Sequence, residues 1–123
     1  MLASPIRRHR RVPCDRPAVL EVPTPSGPER SLATVKALSL GGLGLAFDEW
    51  ETCDVNAGDV VFVHLRSPRG ALVLPARVAW IRHDHSARFD LGVMLLRERL
   101  DHVTAASYRA LVAEADEHTT GAD

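Results

Sequence analysis

The sequence has little of what a membrane, a secretory route or a large polyanion requires. Its longest apolar runs, such as 41–47, fall far short of a bilayer span. The first 30 residues are broken by Arg and Pro and hold no apolar signal core. Only two cysteines occur, Cys14 and Cys53, far apart and in no CxxC pair. That pattern predicts reduced thiols and a cytoplasmic protein. Lysine is almost absent: Lys36 stands alone among 15 basic residues. Six aromatic residues form no paired stacking run, which argues against a nucleic-acid polymer as ligand. No nucleophile elbow, Walker loop, dinucleotide fingerprint or HExxH is found, so no catalytic residue and no enzymatic activity are expected. Metal sites fare no better. His83, Asp84 and His85 lack a third ligand nearby, and Asp48, Glu49, Glu51 and Asp54 lack the spacing and closing Glu of a calcium loop. No metal or cofactor is expected.

What is present fits one domain of 123 residues, 46% hydrophobic and 25% charged. The net charge of −1 hides an asymmetry. Residues 1–16 carry Arg7, Arg8, Arg10, Arg11 and Arg16 against Asp15, a net of +4. The remainder carries 10 basic and 15 acidic groups, a net of −5. A basic arm on an acidic body repels a long polyanion and suits a small anionic ligand. Arginine provides forked, planar contacts to phosphates and guanine edges.

Residues 1–16, with Pro5 and Pro13, read as a flexible arm. Short strands are predicted over 18–22, 30–39, 43–47, 60–66, 71–82 and 88–97. Leu43, Leu45 and Phe47 alternate with Gly44 and Ala46, the period of a half-buried strand. Turn formers separate these runs: 23–28 is Pro-Thr-Pro-Ser-Gly-Pro, 67–70 is Ser-Pro-Arg-Gly, and 48–59 is an acidic surface loop. Pro75 marks an edge or a bulge in its strand. From Leu100 the period changes. Val103, Tyr108, Leu111, Val112 and Ala115 follow helical spacing behind Asp101 as N-cap, and 117–123 reads as a frayed tail. About six strands and one terminal helix predict a mainly β domain over 17–116, a small antiparallel barrel or sandwich closed by the helix.

Two short motifs carry the chemistry. Arg7 and Arg11 lie four apart on the arm with Arg8 between them, and Ala37-Leu38-Ser39-Leu40-Gly41-Gly42 ends a strand. Together they resemble the PilZ domain family, marked by Arg-x-x-x-Arg and (Asp/Asn)-x-Ser-x-x-Gly. The resemblance continues through 57–63, 74–80 and 91–93, from about residue 6 to 112. It implies a six-stranded antiparallel β-barrel with a C-terminal helix, and a receptor for cyclic di-GMP. By the family pattern Arg7 and Arg11 grip phosphate and guanine, Ser39 offers a hydroxyl, and Gly42 allows close approach; Arg8 and Gly41 are expected in the same ligand site. Trp80 offers a stacking face, although a core position is the commoner fate of tryptophan.

One position departs from the family pattern: Ala37 stands where Asp or Asn is usual. Alanine accepts no hydrogen bond from guanine, and an unmet buried donor costs about 1–3 kcal/mol. Two functions are compatible with the motif as it stands. In one, the protein is a single-domain cyclic di-GMP receptor whose arm orders around the ligand and changes contact with an unidentified protein partner. In the other, it is a degenerate module that binds no cyclic di-GMP and serves as an adaptor in motility or pilus machinery. A third function, a barrel that binds nucleic acid through its arm, is opposed by the acidic body.

Overall fold

The computed structural model describes residues 10–48, 55–83 and 89–121. Six strands, β1 (Val12–Val22), β2 (Glu29–Leu38), β3 (Gly42–Phe47), β4 (Val60–Ser67), β5 (Gly70–His83) and β6 (Phe89–Leu95), precede a short 3-10 turn (Arg97–Arg99) and helix α1 (His102–Gly121). The strands close into a barrel in the order β1-β2-β3-β6-β5-β4, and every neighbouring pair is antiparallel. Closure removes free sheet edges. The expected mainly β, six-stranded barrel with a C-terminal helix is the architecture found.

The strand alternation explains the interior. Leu20, Val35, Leu45, Val61, Val63, Leu74 and Leu91 are fully buried, each on the inward phase of its strand. Phe47 and Phe89 stack with ring centroids 4.5 Å apart. Helix α1 adds Tyr108, Leu111, Val112 and Ala115 to the same core. Its start is capped as the sequence predicts: Asp101 Oδ1 accepts the Thr104 amide at 2.7 Å. Val103, assigned to the apolar face, is instead 76% exposed; it lies in the first helical turn, ahead of the core-facing stretch.

Boundaries differ from the expectation in places. β1 begins at Val12, so 12–16 are strand rather than arm, because Val12 and Pro13 pair with Leu38 and Ala37 of β2. The 88–97 run stops as a strand at Leu95; Leu96 then donates to the Pro75 carbonyl and the chain turns into the 3-10 segment. Helix α1 continues to Gly121 through the stretch read as a frayed tail. Polar composition alone does not stop a helix, and the first breaker in it is Gly121. Pro75 lies where β5 runs beyond its last partner on β6, and the bulge of this strand is at Ala79.

Bulges decide which way the site residues point. In β2 the inward positions are Ala33 and Val35, so strict alternation would send residue 37 inward. The register against β3 skips Lys36, which turns Ala37 outward and Leu38 inward. On the other side of Ala37, β1 places Cys14 and Asp15 opposite Lys36, and Asp15 Oδ1 takes the Lys36 ammonium at 2.6 Å. In β5 the inward series Leu74, Ala76, Val78 would continue to residue 80. The extra residue Ala79 turns Trp80 outward and leaves Ile81 packed on the core. Each bulge re-aims one side chain.

Candidate functional site

The re-aimed residues share one transverse row on the outer face. Ala37 pairs with Gly44, Gly44 with Gly92, and Gly92 with Trp80, crossing β2, β3, β6 and β5. The next row, Leu38, Leu43, Val93 and Val78, faces the core. Ala37 and Gly44 leave a trough beside the Trp80 indole, and the trough is the floor of a groove of about 620 Å³. That volume lies in the range of small-ligand sites.

Trp80 forms one wall. Its indole lies over Gly92 so closely that a Cβ there would fall 2.3 Å from Cε2 and Nε1. Glycine at 92 is therefore needed for the indole to lie down on the sheet. The Arg82 guanidinium sits 5.2 Å from the ring centroid, a cation–π contact that helps hold the ring. Of the two fates open to Trp80 in the sequence, the outward, half-buried one is realised.

The Ser39 turn forms the end of the groove. Ser39 Oγ accepts the amides of Gly41 (3.3 Å) and Gly42 (3.1 Å) and donates to the Gly42 carbonyl (3.3 Å). The Ser39 amide also donates to Gly42 O at 3.0 Å. The hydroxyl thus shapes the turn from within. Gly42 has its own steric reason: a Cβ would meet the Val93 carbonyl oxygen at 2.2 Å. From helix α1, the Tyr108 hydroxyl donates to the carbonyls of Ser39 (2.7 Å) and Gly42 (3.1 Å). Burial raises the Tyr108 pKa well above its ordinary value, against the lowering effect of the Ser39 hydrogen bond, so the phenol stays protonated.

Charge enters at the rim. Arg11 lines the groove, as do Arg97 and Glu98 of the 3-10 turn. Arg97 donates to the Leu40 carbonyl at 3.3 Å, and the Leu95 amide donates to Gly41 O at 2.9 Å. These two bonds dock the 3-10 turn onto the glycine turn. Arg10, next to Arg11, departs the other way and pairs with Asp116 of α1 at 3.3 Å, while Arg16 pairs with Glu114 at 3.2 Å. The beginning of β1 is thereby tied to the helix, by partly exposed pairs of modest strength.

Of the residues singled out in the sequence, Arg11, Ser39, Gly41, Gly42 and Trp80 come together around this groove. Arg7 and Arg8 lie outside the described residues, as do Asp84 and His85. Sequence reasoning missed Gly44, Gly92, Arg97, Glu98 and the clamping hydroxyl of Tyr108. Gly44 and Gly92 become neighbours only through strand register. Arg97 ends a stretch that reads as strand, and Glu98 follows directly after it. Tyr108 was placed correctly on the buried helix face, but no spacing rule shows where its hydroxyl ends.

The family model of the PilZ domain matches residues 5–113. No curated protein matches. Among solved structures, the PilZ domain of YcgR from Escherichia coli with c-di-GMP superposes with a TM-score of 0.71 at 14% identity, covering 92% of this chain and 93% of that one. The inhibitor of motility MotI/DgrA from Bacillus subtilis gives 0.72 at 14% identity over 96% of this chain and 53% of that one. The chain thus spans about half the length of that relative. The PilZ domain of CeSA from a cellulose-synthesizing bacterium gives 0.60 at 18% identity, covering 87% and 98%. At such identities the superpositions establish shared fold, and the family assignment rests on the match across most of the chain, on the barrel with its terminal helix, and on the Ser39–Gly42 turn. The chain belongs to the PilZ domain family.

Proposed function

We propose that the protein is a receptor for cyclic di-GMP, held in the groove between Arg11, the Ser39 turn and Trp80. The observation that carries this is the transverse row on the outer face, in which Ala37 and Gly44 leave an open floor and the Trp80 indole covers Gly92 at its end. A purine ring stacks on an exposed aromatic face such as this indole, a contact worth about 1–3 kcal/mol per base. Arg11 at the rim supplies the fork for a phosphate or for guanine O6 and N7. A relative of the same fold carries c-di-GMP in its solved structure, which supports the choice of ligand.

Arg7 and Arg8 join Arg11 as the arm closes over the ligand. Closure exchanges a cationic arm for a neutralised one on that face, and this change alters contact with a protein partner. The ligand is bound and released unchanged, without metal or cofactor. Ser39, Gly41 and Gly42 serve by holding the turn in shape. The adaptor alternative rests on Ala37, which removes one acceptor from the groove.

Calorimetric titration of cyclic di-GMP into the wild type and Arg11→Ala separates the two. Saturable heat that is lost in Arg11→Ala is the expected result. Absence of heat with the wild type at high protein concentration would favour the adaptor.

A further inference from the structure

Ala37 leaves the groove floor without an acceptor for a guanine edge, and the neighbouring oxygens are already engaged. Ser39 Oγ bonds within its own turn, Ser39 O and Gly42 O take the Tyr108 hydroxyl, Gly41 O takes the Leu95 amide, and Leu40 O takes Arg97. Among the described residues one acidic side chain lines the groove, Glu98. It is exposed and, among the described residues, has neither a hydrogen-bond partner nor an ion-pair partner.

We infer that Glu98 is the guanine-reading residue of this protein, replacing the acceptor that Ala37 lacks. The inference rests on the cyclic di-GMP function proposed above. The 3-10 turn that carries Glu98 is docked on the Ser39–Gly42 turn through Leu95 and Arg97, at the end of the groove where β2 delivers Ala37. Guanine presents N1–H and N2–H side by side on its Watson–Crick edge. A carboxylate, which only accepts, matches that pair with two parallel bonds. Adenine presents the N1 lone pair there, so the same carboxylate repels it. Arg97 and Arg99 flank Glu98 in sequence and offset its charge toward a ligand with two phosphates.

The test is calorimetry on the full chain with cyclic di-GMP, cyclic di-AMP and the inosine analogue cyclic di-IMP, which lacks the N2 amine. Glu98→Ala is expected to weaken cyclic di-GMP about tenfold to a hundredfold, to weaken cyclic di-IMP less, and to narrow the preference over cyclic di-AMP. Ala37→Asp added to Glu98→Ala is expected to recover cyclic di-GMP affinity. If Glu98→Ala binds cyclic di-GMP like the wild type while Arg11→Ala does not, Glu98 is refuted and the receptor function stands. Equal weakening of the guanine and inosine ligands refutes reading of the N2 edge. A wild type that takes no cyclic dinucleotide overturns the receptor function and this inference with it.

Discussion

Substituting alanine for Gly92 tests whether the indole of Trp80 is the ligand's stacking wall. The added methyl would sit 2.3 Å from Cε2 and Nε1 and 2.7 Å from Cζ2 of that ring. Ordinary carbon contacts are about 3.5–4.0 Å, so one partner must retreat by more than roughly 1 Å. The backbone of residue 92 cannot, because it is paired with Gly44 on one side and Trp80 on the other. The half-buried indole therefore swings off the sheet. Overpacking of this kind costs about 1–3 kcal/mol of stability. Loss of one base stack costs about 1–3 kcal/mol of binding, or roughly fivefold to 150-fold in Kd. A double-mutant cycle isolates the path: Gly92→Ala, Trp80→Ala and both together, each titrated with cyclic di-GMP. If the methyl acts through the indole, Gly92→Ala adds nothing once Trp80 is alanine, and the coupling energy is of order 1 kcal/mol or more. Equal weakening in both backgrounds, or an unweakened Gly92→Ala with Trp80 intact, refutes the stacking wall.

Other perturbations follow from the same geometry. Gly44→Ala places its Cβ 3.7 Å from that of Ala37, an ordinary contact, so melting is expected to be unchanged while the raised floor weakens the ligand. Gly42→Ala drives a methyl onto the Val93 carbonyl at 2.2 Å and is expected to destabilise the barrel by about 1–3 kcal/mol in urea unfolding. Tyr108→Phe leaves the Ser39 carbonyl without its helix partner and is expected to cost roughly 1–2 kcal/mol. Burial raises the Tyr108 pKa, so the unfolded chain releases that proton first as pH rises past about 10; stability present below that pH is lost above it, and Tyr108→Phe flattens the slope. Tyr108 is the single tyrosine, so tyrosinate absorbance follows it directly. The Asp101 carboxyl is held below its ordinary pKa, chiefly by the Thr104 amide. Its capping contribution is therefore present above about pH 4 and fades as pH falls further, and Asp101→Ala removes that dependence from amide-exchange protection of the first helical turn.

Much of the barrel was legible because alternation and turn chemistry are local. Leu43, Leu45 and Phe47 announce their inward face, and Asp101 announces the helix start. The candidate site was legible as two motifs and one tryptophan, Trp80. What remained hidden depends on register. Nothing local says that Gly44 and Gly92 are neighbours, or that the indole needs both glycine at 92 and a bulge at 79 to reach the groove. Alternation by itself would bury Trp80 and expose nothing at Ala37. The bulges at Lys36 and Ala79 reverse both, and they arise from pairing across strands distant in sequence. Glu98 was passed over for a different reason. A charged residue just after a strand carries no signal until the 3-10 turn brings it into the lining of the groove.

The most direct test is to follow amide and indole N–H resonances during titration with cyclic di-GMP. Shifts centred on Ala37, Gly44, Gly92 and the Trp80 indole, saturating together and absent in Arg11→Ala, are the expected result. Saturable shifts confined to the opposite outer face around Leu32 and Val73, with the glycine row unmoved, would contradict the account.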